Sequence, residues 1–220
     1  RSVVSMQKML DTPLVSVPEP RQARSRDALD RLLEAGEALL ASNQFEEAAI
    51  VDIAQQAQSS VGSFYRLLGD KETLLLLLLQ RFFDNTQQRL QRDLPLDVCA
   101  KETMHQVVMR YANCIHRVYQ GRRGVLRAVI LRASQSAEFR DRVHKLNDDI
   151  AQHMALAMEA HRHLIKHPLG EAAIPVAAHM CLGILNQHTV TGRLGGIPEA
   201  TVVNELARVF ISYLVSEVAL

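Results

Sequence analysis

The sequence predicts an all-helical protein. Only 10 glycines and 7 prolines interrupt 220 residues. No run alternates apolar and polar side chains as a half-buried strand does. Between the breaks, apolar residues recur at the 3.6-residue period of helices that bury one face. The length is enough for one or two domains with real cores.

Residues 1–20 hold Pro13, Pro18 and Pro20 and read as an extended arm. A first helix is expected over about 26–42, with Leu29, Leu32, Leu33, Gly36, Leu39 and Leu40 on one face and Ser25 as its cap. A short helix follows at about 49–57, turning inward Ile50, Ile53 and Ala54. Gln58-Ser59 breaks it, and a second short helix covers about 60–67. Asp70 is a good N-cap for a long helix from Lys71 to just before Pro95. Further helices are expected at about 96–119, 124–133, 137–166, 171–191 and 199–218, about nine in all.

Composition excludes several function classes. A net charge of +1 excludes a strongly basic chromatin-type protein and an acidic disordered tail. Aromatic residues make up 5% and Trp is absent, so a base-stacking or sugar-binding platform is not expected. Cys99, Cys114 and Cys181 are odd in number and far apart, which fits a reducing cytoplasm and neither a disulfide framework nor a metal site. The first twenty residues lack the apolar core and small-residue cleavage site of a signal peptide. Residues 172–192 carry no Asp, Glu, Lys or Arg. Pro175, His179, Asn186, Gln187 and His188 make them too polar for lipid, so a helix buried between protein surfaces is expected.

The informative stretch is Phe45 to Leu75, FEEAAIVDIAQQAQSSVGSFYRLLGDKETLL. Two helices of about two turns are too short to stand alone. They persist only by packing together on a neighbour, here the helix at 26–42. That is a helix-turn-helix, whose second helix is held proud of the body to enter a DNA major groove. Its outer face presents Ser60, Val61, Ser63 and Arg66. Hydroxyls can bond phosphates or base edges, Val61 can meet a thymine methyl, and Arg66 can reach a guanine or a phosphate. Gly62 removes a side chain where backbone can approach the duplex.

From Arg26 to Leu79 the chain resembles the tetracycline-repressor-type (TetR) transcriptional regulators. The resemblance rests on Ile53-Ala54, Ala57, Ser60-x-Gly62-Ser63-Phe64-Tyr65, Asp70-Lys71-Glu72 and Leu74-Leu75, spaced without a gap. It implies phosphate contacts from Ser63, Tyr65 and Lys71, base contacts from Val61, Gly62 and Arg66, and a core role for Phe64. It implies a three-helix bundle with the helix-turn-helix over residues 21–70, then an all-helical ligand-binding and dimerisation domain over 71–220. Lys71 at a helix N-terminus fits the phosphate role, because its charge and the free N–H groups face the same way.

Three positions depart from the family pattern. Gln58 stands where the family has Gly; if that residue needs positive φ, Gln costs about 1 kcal/mol. Ala48 and Ala49 replace the usual Thr or Ser cap, a loss of about 1 kcal/mol. Leu68 replaces a usual Phe. Charge is a further oddity: through residue 71 there are eight cations against ten acids, whereas DNA-binding modules are usually basic. The useful charge must be local, and Arg21, Arg24 and Arg26 before the first helix could form a minor-groove or backbone arm.

Between Arg110 and Lys145 lie nine cations opposed only by Glu138 and Asp141. One reading is an anionic effector such as an acyl-CoA or an organic acid; the other is plain surface charge. A ligand lining is expected from Phe83, Met104, Val108, Tyr111, Arg127, Leu131, Met154, Met158 and Met180, with core packing as the bland reading of the apolar members. His163 and His167 sit one helical turn apart, but no nearby Cys, Asp or Glu completes a metal set. The last two helices are expected to form a homodimer, through the uncharged helix at 171–191 and the stripe Val202, Val203, Leu206, Val209, Phe210, Tyr213 and Leu214.

The expected function is a ligand-responsive regulator: a dimeric repressor on a palindromic double-stranded operator, released by a small-molecule effector. The alternative is a small-molecule binding protein of the same fold without DNA recognition. Catalytic residues, a cofactor and a metal are not expected, because no Gly-x-Ser-x-Gly, phosphate-cradling Gly loop or His-Glu-x-x-His occurs.

Overall fold

The computed structural model describes residues 13–17, 22–191 and 196–217. Most of the expected N-terminal arm, residues 1–20, and Arg21 after it lie outside them. Ten α-helices are present among the described residues, and no strand. They are α1 Ala23–Ala41, α2 Ile50–Gln56, α3 Val61–Leu68, α4 Lys71–Asp93, α5 Leu96–Cys99, α6 Met104–Tyr119, α7 Arg123–Gln135, α8 Ala137–Ala157, α9 Ala173–Thr191 and α10 Glu199–Val215. None is long and apolar enough to cross a membrane.

The chain folds as two compact units. The first comprises the described residues up to Asp84 together with Arg122–Ser136, so it contains α1, α2, α3, the first half of α4, and α7. Leu32, Leu33, Leu39 and Leu40 of α1 are buried with Ile53 and Ala54 of α2, Phe64 and Leu67 of α3, and Leu74 and Leu78 of α4. Each such leucine or phenylalanine contributes roughly 1.5–3 kcal/mol by leaving water, which is what two-turn helices need in order to persist. Leu68, in the place of the family's Phe, is buried too. The described fragment of the arm bends at Leu14, whose N–H donates to Gln80 Oε1 at 2.9 Å.

The second unit comprises residues 85–121 and those from Ala137 on. Its axis is α6, which buries Val107, Val108, Tyr111, Ala112, Cys114, Ile115 and Val118. Helices α9 and α10 pack on α6 and on each other, and α9 also packs on α8. The Tyr111 hydroxyl donates to the Ala178 carbonyl at 3.1 Å, and its ring lies 5.6 Å from that of Phe210.

Several boundaries differ from expectation. The first helix starts at Ala23, so Ser25 lies inside it and caps nothing. The helix expected over 96–119 is two. Thr103 Oγ1 accepts from the Gln106 N–H at 3.3 Å while the Thr103 N–H donates to Gln106 Oε1 at 2.8 Å. This reciprocal capping box starts α6 afresh. The helix expected over 137–166 stops at Ala157 and tightens into a 3₁₀ segment, Glu159–Leu164. The chain turns there because the Lys166 and His167 N–H groups both donate to the Leu214 carbonyl at the end of α10, at 2.9 and 3.0 Å.

Candidate nucleic-acid interface

Helix α3 is bounded by its own chemistry. Ser60 caps it, accepting from the Ser63 N–H at 3.1 Å and donating to the Ser63 hydroxyl at 2.9 Å. Gly69, with φ 78°, ends it by donating to the Tyr65 carbonyl at 2.9 Å. Asp70 then caps α4 through the Thr73 N–H at 2.7 Å. That backbone hydrogen bond, with help from the Thr73 hydroxyl, holds the Asp70 carboxyl below its ordinary pKa.

The turn before α3 shows what the departures from the family pattern mean physically. Gln58 has φ 49°, the left-handed conformation expected for the usual Gly. The turn is held by the Ser59 N–H on the Ala54 carbonyl at 2.9 Å and by Arg31 Nε of α1 on the Ala57 carbonyl at 3.0 Å. The missing cap of α2 is half replaced. Ala49 offers no side-chain acceptor, but the Asp52 carboxylate reaches back to the Ala49 N–H at 3.0 Å.

One face of α3 packs and the other is open. Phe64, Leu67 and Leu68 are buried, whereas Val61 is 38% and Tyr65 54% exposed. Ser60, Gly62 and Arg66 are also exposed, and Ser63 is half-buried. The Tyr65 ring stands edge-on to Phe64 at 6.0 Å, so the core props it outward. A Cβ on Gly62 would meet nothing nearer than Ser60 Oγ at 3.9 Å. A glycine inside a helix costs roughly 1 kcal/mol relative to alanine, and the neighbours of Gly62 within the protein do not require it.

The cationic candidates divide. Arg24 is exposed in the first turn of α1, and Arg26 also lies within α1, so neither precedes the helix as expected; Arg21 lies outside the described residues. Arg66 Nη1 approaches Ser25 Oγ at 3.5 Å. Lys71 is placed differently from expectation. Its Nζ donates to the carbonyls of Phe45, Glu46 and Ala48 at 2.8, 2.7 and 3.2 Å, which uses all three of its N–H groups on the protein itself. A phosphate would have to displace one of these bonds.

The expected ligand lining is divided between the two units. Met104, Val108, Tyr111, Met154 and Met158 are buried in the second unit. Phe83 is buried but belongs to the first unit. Leu131 and Met180 are 53% and 42% exposed, and Arg127 is exposed, because each lies on the outer face of its helix. The basic cluster is largely neutralised by carboxylates. Arg110 forms a two-pronged pair with Glu102 at 2.6 Å, and Arg117 lies 4.0 Å from Asp93. Arg132 pairs with Glu72, Arg142 with Glu138 and Lys145 with Asp149. Most of these carboxylates lie outside the 110–145 window, so counting charge within that window overstated the cluster. The Arg110 guanidinium also holds the Glu102 carboxyl below its usual pKa. Sequence reasoning missed an open groove of about 450 Å³ along α6, where Arg92, Asp93, Glu102, His105, Arg110 and Arg117 meet.

His163 is exposed, and His167 Nδ1 accepts from the Leu169 N–H at 3.1 Å, with its ring 4.3 Å from that of Tyr213. Among the described residues no three His, Cys, Asp or Glu side chains come together as a metal set.

No protein-family model and no curated protein matches the chain. Solved structures do match. A transcriptional regulator from Rhodococcus sp. Rha1 is similar at TM-score 0.63 and 16% identity, over 87% of this chain and 99% of that one. PfmR, a TetR-family transcriptional regulator from Thermus thermophilus, is similar at TM-score 0.58 and 17% identity, over 84% and 99%. A protein described as the superantigen pfit is similar at TM-score 0.59 and 20% identity, over 93% and 96%. The fold is that of the TetR-type regulators, and at these identities the likeness speaks for fold alone.

Proposed function

We propose that this chain is a ligand-responsive transcriptional regulator that binds a palindromic double-stranded DNA operator as a homodimer, a repressor released by a small-molecule effector. The observation that carries the reading is the open face of α3. Its cap, its end and its buried face are all accounted for inside the protein, while Ser60, Val61, Gly62, Tyr65 and Arg66 face outward. Gly62 has no internal reason to be glycine, and a duplex backbone pressed against the helix supplies one. In this reading Ser63 and Tyr65 bond phosphates, Val61 meets a thymine methyl, and Arg66 and Arg24 reach a base edge or the backbone.

The functional division follows: residues 21–70 read DNA, and 71–220 receive the effector and dimerise. The uncharged outer face of α9, with exposed Val176, Met180 and Gly183, is the natural dimer seam, joined by the exposed Val209 of α10. Met104 and Tyr111 of α6, with the buried Met154 and Met158, are the adaptable wall for an effector. The free, buried thiols Cys99, Cys114 and Cys181 fit work in the cytoplasm. The alternative, a binding protein that has lost DNA recognition, is disfavoured by the turn. Gln58 still takes the left-handed conformation, and Asp52 still braces α2.

Genomic-fragment pull-down followed by footprinting tests the proposal. Two protected half-sites are expected about 10 base pairs apart, or a multiple of that spacing. Tyr65→Ala and Arg66→Ala should abolish the footprint while sedimentation still reports a dimer. No footprint from the wild-type chain, with or without cellular metabolites, would leave the binding-protein alternative standing.

A further inference from the structure

We infer that Lys71 is a positioning residue of the reading head, a tether for the α1–α2 loop rather than a phosphate ligand. Its ammonium sits among three carbonyls of one short loop, Phe45, Glu46 and Ala48, at 2.8, 2.7 and 3.2 Å. The Phe45 ring adds a cation–π contact at 5.3 Å, and that ring is itself buried in the core of the first unit. An ammonium has three N–H groups, and here all three are used. A tetrahedral donor suits three converging acceptors; the planar fork of arginine does not.

The consequence reaches α3 through α2. The loop ends at Ala49, the N-cap of α2, which has no side-chain acceptor and whose own N–H donates to the Asp52 carboxylate. Lys71 supplies the order that the absent Thr or Ser cap would have supplied. Because Lys71 is the first residue of α4, it also ties the start of α4 to the loop leading into α2. The inference rests on the DNA-binding reading only for its effect on affinity; the tether itself does not depend on it.

Two arms test it. The first needs no DNA. In Lys71→Met, hydrogen exchange at amides 48–53 should accelerate at least tenfold, while the amides of α6 stay protected. In the wild-type chain, the Lys71 ammonium should give a slowly exchanging proton–nitrogen signal that the exposed lysines lack. Unchanged exchange, or no such signal, overturns the tether whether or not DNA binds. The second arm titrates a labelled duplex carrying the recovered footprint at several salt concentrations. A tether predicts that Lys71→Met and Lys71→Arg both weaken binding several-fold with the salt slope unchanged. A phosphate ligand predicts that Lys71→Met flattens the slope by about 0.9 per lost contact and that Lys71→Arg restores it, which would overturn the inference.

Discussion

Gly124 of α7 lies directly against the Leu40 carbonyl of α1: a Cβ on Gly124 would sit 2.2 Å from that oxygen and 2.5 Å from the Ala41 nitrogen. Both obstacles are backbone, so no flexible side chain can yield. Gly124→Ala should therefore push α7 off α1 and destabilise the first unit by about 2–4 kcal/mol. Thermal unfolding followed by circular dichroism measures this. A variant as stable as wild type would show that the two helices are less closely packed than these distances require.

The strained turn should respond in the opposite direction. Gln58 holds φ 49° in the α2–α3 turn. Gln58→Gly removes the strain and should stabilise by about 0.5–1 kcal/mol, reduced somewhat by glycine's extra freedom in the unfolded chain. Urea unfolding should show a higher midpoint with the same slope. Gln58→Val should lower it, because a β-branched residue tolerates positive φ still less.

Acid should destabilise the fold through three carboxylates. Asp70 is depressed by its bond to the Thr73 N–H, Glu102 by Arg110 and Glu217 by Lys166. A depressed carboxylate adds stability above its unfolded pKa of about 4, and that stability is lost as pH falls through the folded value. Asp149 acts in reverse: burial raises its pKa, so charging it on the way to neutral pH costs stability. The unfolding midpoint should thus fall between about pH 5 and pH 2. Asp70→Asn, which keeps a capping oxygen but loses the charge, should shrink that fall.

The thiols should be inert in the native protein. Cys99, Cys114 and Cys181 are buried, and burial pushes Cys114 and Cys181 up to about 12. Very little thiolate exists at about pH 8, and reagents cannot reach it. Ellman's reagent should find no fast thiol in the folded chain and three in denaturant. A fast native thiol would mark local opening around α5, α6 or α9.

Much of this was legible in the sequence because it is local. Ser60, Gly69 and Asp70 bound their elements through neighbours within four residues, and the spacing of Ile53, Ala54, Ala57 and Phe64 reports which faces pack. The break before α6 was equally local, since Thr103 and Gln106 spell a capping box, but the apolar periodicity across it masked the signal. What was hidden depends on distant partners. Lys71 reads as a free cation at a helix start until the fold brings three carbonyls to it. The arginines of 110–145 read as a basic patch until Glu72 and Asp93 arrive from α4 and Glu102 from the turn before α6. Leu131 and Met180 read as pocket wall, but their helices turn them to solvent.

The first unit is discontinuous in sequence, closed by α7 only after the chain has passed through α5 and α6 of the second. A graft of residues 21–70 alone onto a foreign sensor would therefore carry the reading helix without the piece that seals α1 at Leu40. Chimaeras of this protein should be spliced with 122–136 kept native, and isolated N-terminal fragments should fold poorly for the same reason.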